Sequence, residues 1–137
     1  MCIRDRRTPE KEILAVMLKR ELDALNLKQV EKRLSIFKKW LASEPRNIQL
    51  HLQLARSYGE VGLFDVAERY ATKAAGIDPD NAEVIQVLGN LAYMQNQYAR
   101  ALESYLKADK LAPDAGTKIN LAMAYLKAGE LLSLIHI

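Results

Sequence analysis

The sequence predicts an all-α solenoid built from antiparallel helix hairpins, and three observations carry that expectation. Pro45, Pro79 and Pro113 recur at a period of 34 residues. Within that period Leu54, Ala55, Tyr58, Ala67 and Ala74 hold a frame that Leu88, Gly89, Ala101, Tyr105 and Ala108 repeat in kind one unit later. Between these markers the apolar residues return at steps of three and four, which puts them on one face of a helix. A fixed period of this length is the signature of stacked helix–turn–helix units, each unable to bury its apolar face alone.

Arg7 to Leu27 reads as a first helix. Thr8 is placed to cap it and Pro9 stands at the first helical position, where a missing N–H costs nothing. Ile13, Leu14, Val16, Met17, Leu18, Leu22 and Leu25 form its stripe. A second helix is expected over Lys28 to Ser43, with Val30, Leu34, Phe37, Trp40 and Leu41 on one side, stopped by Pro45. Residues 7–47 thus read as a degenerate repeat or an N-terminal capping hairpin. Residues 48–81 form the first full repeat. Asn47 caps its first helix, Leu54, Ala55 and Tyr58 share a face, and Gly62 is available for a left-handed C-cap. Its second helix carries Phe64, Ala67, Tyr70, Ala71 and Ala74 and ends at Asp78-Pro79.

Residues 82–114 repeat the pattern. Asp80 and Glu83 have capping-box spacing, Gly89 and Ala101 form the expected close-contact pair, and Asn96 replaces glycine in the turn. Small residues at such contacts matter because helices packed within about 8–10 Å need a place with almost no side chain. Residues 115–131 supply the first helix of another unit, with Leu121, Ala122 and Tyr125 in the places of Leu54, Ala55 and Tyr58, and the pattern breaks after Gly129-Glu130-Leu131.

The two ends are set apart. Met1 to Asp5 and the start of the next codon can be written ATG TGT ATA AGA GAC AG, and Leu132 to His136 with the next bases CTG TCT CTT ATA CAC AT. These strings are reverse complements and resemble the transposon-end adapter of sequencing libraries. Residues 1–6 and 132–137 are therefore expected to be adapter translation, and 7–131 a fragment of a longer protein. Cys2 and His136 fall in these ends, so neither is offered as a ligand or nucleophile.

Composition excludes several functions. With 20 basic and 17 acidic residues the formal charge is +3, close to neutral and well interspersed, without the dense basic stripe of a nucleic-acid footprint. Lys28, Lys32, Arg33, Lys38 and Lys39 read most simply as a solvated face. No apolar run is long enough to span a membrane. The one cysteine lies in a suspect end, so cysteine usage is silent about compartment, which stays open between cytoplasm and periplasm.

The residues of 48–131 resemble the tetratricopeptide repeat, whose pattern sets a large residue, Leu-Gly, Tyr, Ala, an aromatic, Ala and Pro along its length. Residues 82–114 depart at Ile85 and Ala92, and 48–81 at His51 and Ala71. The resemblance implies a right-handed superhelix whose first helices line a concave groove for a peptide or a partner's helix. Positions off the packing face then nominate Gln49, Leu52 and Arg56, followed by Gln86, Asn90 and Tyr93, and by Met123 and Lys127, with Glu60, Glu83, Met94, Ile119 and Leu126 beside them. Some family members hold a C-terminal carboxylate with a lysine and asparagine clamp. Asn90 matches one of its asparagines, but Leu52 and Arg56 stand where the first lysine and asparagine would be.

Chemistry is not written here. His51 occupies the large-residue slot with no second histidine, cysteine or serine placed to work with it. Calcium-loop spacing and a phosphate-binding glycine loop are both missing. The expectation is a non-enzymatic interaction scaffold without cofactor or metal, binding a protein or peptide rather than nucleic acid. The alternative is the repeat region of a larger transferase, protease or kinase whose catalytic domain lies elsewhere in the parent chain. A single-stranded RNA binder is a third reading, marked by affinity that falls with salt. Partner identity and oligomeric state are left open.

Overall fold

The computed structural model describes residues 9–135, which form six helices in order: α1 Pro9–Ser43, α2 Ile48–Glu60, α3 Phe64–Ile77, α4 Ala82–Met94, α5 Tyr98–Leu111 and α6 Ala115–Ile135. Thr8 and the expected adapter segment 1–6 lie outside these residues. So do residues 136–137, and nothing is described of the side chains of 131–135. The described residues divide into two units, one reaching Ile36 and one starting at Phe37.

The first unit corrects one expectation. Where two helices with a break near Leu27-Lys28 were expected, α1 is a single helix of 35 residues. The reason is local. Between Pro9 and Pro45 there is no glycine or proline, and Leu, Lys, Glu, Arg and Ala dominate, so nothing opposes the continuing hydrogen-bond ladder. The predicted stop at Pro45 holds.

In the second unit each hairpin begins with an asparagine. The Asn47 side chain accepts from the Leu50 N–H at 3.2 Å. Asn81 does the same for α4, accepting from the N–H groups of Glu83 and Val84 at 3.0 and 3.2 Å. The cap is therefore Asn81 rather than the Asp80 of the expected capping box, because Asn81 holds the extended backbone of an N-cap, at φ −78° and ψ 112°.

The turns inside the hairpins share one design. The Gly62 N–H reaches the Gly59 carbonyl and the Leu63 N–H reaches the Tyr58 carbonyl, with Gly62 at φ +82°. In the second hairpin the Asn96 N–H reaches Tyr93 and the Gln97 N–H reaches Ala92, with Asn96 at φ +63°. These are paired closing bonds around a left-handed residue, which satisfy carbonyls that the helix end would leave bare. Gly129 stands at the equivalent place in α6, yet that helix runs on through it to Ile135.

Leu54, Ala55, Ala67, Ala71 and Ala74 are fully buried between α2 and α3, where Tyr58 and Tyr70 stack at 5.7 Å and 7°. Lys38 lies over the Tyr58 ring at 5.3 Å, so this lysine of the expected solvated face also covers the stack. In the next hairpin a Cβ on Gly89 would lie 2.8 Å from the Tyr105 ring and 3.1 Å from Ser104. The close partner of Gly89 is thus Tyr105, not the expected Ala101. Ala101 instead joins Ala92, Tyr105, Leu121 and Ala124 in the cluster that ties α5 to α6. Gly59 plays the small-residue part between first helices, its Cβ position lying 3.0 Å from Leu91 of α4.

Candidate functional site

The residues nominated for the groove separate into three environments. Leu52 is the plain correction, since it is completely buried and cannot meet a ligand. Its position off the expected packing face of the repeat does not make it exposed. Helical spacing reports which residues share a face and is silent about what lies opposite.

Gln49 and Arg56 belong to the second environment, where α2 meets α4. The Gln49 amide donates to Glu83 Oε2 at 2.9 Å and the Arg56 guanidinium donates to Glu83 Oε1 at 3.0 Å. The Gln49 hydrogen bond, with Arg56 beside it, holds the Glu83 carboxyl below its ordinary value against the opposing effect of burial. All three side chains are thereby used between repeats. Arg56 reaches the surface but arrives already paired, and Lys127 pairs with Glu130 at 3.7 Å on α6.

The third environment is a cavity of about 180 Å³ lined by Asn90, Tyr93, Met94, Tyr105, Asn120 and Met123. Here the structure brings together Asn90 and Tyr93 of α4 with Met123 of α6, three of the nominated residues. Gln86 is half-buried and is not among the lining residues. Tyr93 is braced by an edge contact with Tyr98, ring centroids 5.3 Å apart. Tyr105, nearly fully buried, supplies the floor, and its hydroxyl donates to the Asn90 side-chain oxygen. Burial pushes the Tyr105 phenol up to about 12, so it remains a donor at any neutral pH. The Asn120 amide approaches the same Asn90 oxygen at 3.5 Å. The amide N–H groups of Asn90 make no hydrogen bond among the described residues.

Tyr105 and Asn120 are the lining residues that spacing along first helices did not nominate. Tyr105 comes from a second helix, and only the gap above Gly89 lets its ring through to the groove side. Asn120 lies one residue from the buried Leu121 and carries no periodic signal of its own. His51 is a structural residue: it is buried, its Nε2 lies 2.9 Å from the Pro45 carbonyl, and its ring packs beside Tyr70. Among the described residues no group of histidine, cysteine or acidic side chains is arranged to hold a metal.

Comparison with known families places the repeat. The tetratricopeptide repeat profile matches residues 48–81 and again residues 82–114. Residues 48–114 belong to the tetratricopeptide repeat family. Solved structures agree with this tetratricopeptide architecture. A thermophilic protein of the family from Thermus thermophilus is 32% identical over 71% of this chain and 50% of its own, with a TM-score of 0.67. MamA is 24% identical over 79% of this chain and 64% of its own, at 0.64. The first tetratricopeptide domain of Spaghetti (RPAP3), solved with the HSP90 peptide SRMEEVD, is 16% identical over 84% and 92%, at 0.67. At such identities the last two show a shared fold. The chain spans half of the Thermus protein and under two thirds of MamA. No curated protein matches the sequence.

Proposed function

We propose that this tetratricopeptide chain is a non-enzymatic interaction scaffold, which holds a segment of another protein along α4 and α6 with an apolar side chain seated between Tyr93, Met94 and Met123. The observation that carries this reading is the cavity itself, mostly apolar and edged by the Asn90 and Asn120 amides. Its volume is well below the roughly 300–1,000 Å³ of small-molecule sites, and it suits one side chain of a peptide. The methionines are unbranched and adapt to different anchors, while amides can bond a peptide backbone whatever its sequence.

The charge pattern narrows the class of segment. Among the described residues no cationic side chain lines the cavity, and Arg56 is occupied by Glu83. A terminal carboxylate would find amide donors but no countercharge, so an internal segment with an apolar anchor fits better than an acidic C-terminus such as that of the peptide seen with RPAP3.

The test is a selection of peptide binders from a random library, followed by binding to Met123→Arg and Tyr93→Ala. Met123 is about half exposed, so its replacement should leave the melting temperature within about a degree or two of the parent. Selected peptides should share an apolar anchor and lose roughly tenfold or more in affinity to each variant. Peptides that bind both variants as well as the parent would remove the cavity from the interface. Arg56→Glu is a poor probe of the groove, because it sets two carboxylates against each other at the repeat junction.

A further inference from the structure

Two of the residues lining the Asn90 cavity are thioethers open to solvent. Met94 is 49% exposed and Met123 48%. Of the chain's other methionines, Met17 lies on α1 and does not line the cavity, and Met1 falls outside the described residues. Met94 is open although its helix has a neighbour on each side. Toward α2 its sulfur lies 3.8 Å from the place a Cβ of Gly59 would take, and toward α6 it shares the cavity with Met123. The place of Met123 in the repeat frame belongs on α2 to Arg56, which is likewise exposed with α4 paired against it through Glu83. Access at both positions is therefore a property of the groove side of the first helices.

The same cavity holds donors that lack an acceptor. The Asn90 side-chain oxygen receives the Tyr105 hydroxyl and is approached by the Asn120 amide, while the Asn90 amide N–H groups make no hydrogen bond among the described residues. Neighbouring thioethers do little for them, because a methionine sulfur is a weak acceptor. A sulfoxide oxygen is a strong one.

We propose that Met94 and Met123 form a peroxide-responsive modification site, whose sulfoxides accept from the Asn90 amide and close the cavity to an apolar anchor. The consequence for binding rests on the peptide-scaffold reading above; the modification itself does not. The thioether sulfur attacks one oxygen of a hydroperoxide, the O–O bond breaks as the S–O bond forms, and with hydrogen peroxide the second oxygen leaves as water. Sulfur gives up two electrons and the peroxide takes them. The product is polar and chiral where the lining had been apolar and flexible. An anchor entering afterwards must strip water from the sulfoxide oxygen or break its bond to the amide, which an apolar side chain cannot repay. Reduction reverses the change: two thiols become a disulfide and the oxygen leaves as water.

The experiment treats the full 137-residue chain with graded hydrogen peroxide, locates the added oxygen by peptide mass mapping, and follows the side-chain amide signals by NMR. Met94 and Met123 should be converted at rates within about threefold of that of Met17, which is 54% exposed. The Asn90 amide signals should shift in step, and should stay in place when a Met94→Leu/Met123→Leu double variant is treated alike. Conversion of Met17 with Met94 and Met123 intact, or Asn90 signals that do not move, would overturn the proposal. A peptide selected on the parent chain as above should lose roughly tenfold or more in affinity on conversion and regain it with methionine sulfoxide reductases of both epimer specificities. Met17→Leu should leave that loss unchanged. The double variant, compared only with itself before and after peroxide, should hold its affinity within about twofold. An equal loss in the double variant, or no loss in the converted parent, would overturn the switch and leave the groove reading standing. A selection that returns no cavity-dependent peptide would instead remove the groove reading, and the mass map and amide signals still decide the modification site.

Discussion

Gly89 and Gly76 show how the same residue type carries opposite instructions. A Cβ on Gly89 meets a buried ring at 2.8 and 2.9 Å, whereas one on Gly76 meets nothing within 4 Å. Helix propensity alone favours alanine by up to about 1 kcal/mol at either helical position. Gly76→Ala should then stabilise by a few tenths to about 1 kcal/mol, while Gly89→Leu should cost about 1–3 kcal/mol by displacing Tyr105. Urea denaturation of both variants checks the pair, and equal effects would contradict the packing. Tyr105 adds a pH signature. Its phenol, ordinarily near 10, is raised to about 12 by burial, so between those values the folded chain keeps a proton that the unfolded chain has lost. Its contribution is whole below about pH 10 and is lost as pH rises toward about 12, to a limit of about 2–3 kcal/mol. Tyr105→Phe should lack this part of the alkaline decline, as seen in the difference between the two stability profiles from about pH 9 to 12.

At the scale of elements, caps and turns decide where each helix begins and ends. Asn81→Ala should destabilise by about 1 kcal/mol because two N–H groups at the start of α4 lose their acceptor, whereas Asp80→Ala should be nearly silent. Chemical denaturation separates the two, and a larger loss at Asp80 would restore the capping box. The sequence made the elements of 48–111 legible because each signal is local: asparagine at a cap, glycine or asparagine where φ must be positive, proline after a helix. It misled at α1, where one apolar stripe over 13–25 and another over 30–41 were read as two helices. A second stripe does not end a helix when no residue breaks the ladder, and Leu27-Lys28 contains no such residue.

At the scale of the whole molecule, stability should be uneven. Up to Ile36 the side chains of Ile13, Leu14, Val16, Met17, Leu27 and Ile36 are half or more exposed, and Val30 and Leu34 are only half-buried. By contrast α4 and α5 bury Val84, Val87, Leu91 and Tyr105 almost completely. A helix owes most of its stability to a packed face, so amides of residues 26–36 should exchange with deuterium at least roughly tenfold faster than those of α4 and α5. Mass-spectrometric exchange measures this, and uniform protection would count against it. The sequence by itself determined the repeat, its register, the buried Leu54 and Ala55, and the left-handed turns at Gly62 and Asn96, because these follow from backbone geometry and from each helix's own face. Only the tertiary structure decided that Leu52 is covered, that Gln49 and Arg56 converge on Glu83, and that Tyr105 reaches the cavity through the gap above Gly89. Those outcomes depend on which surface of a neighbouring helix arrives opposite, and spacing along one chain segment carries no information about that.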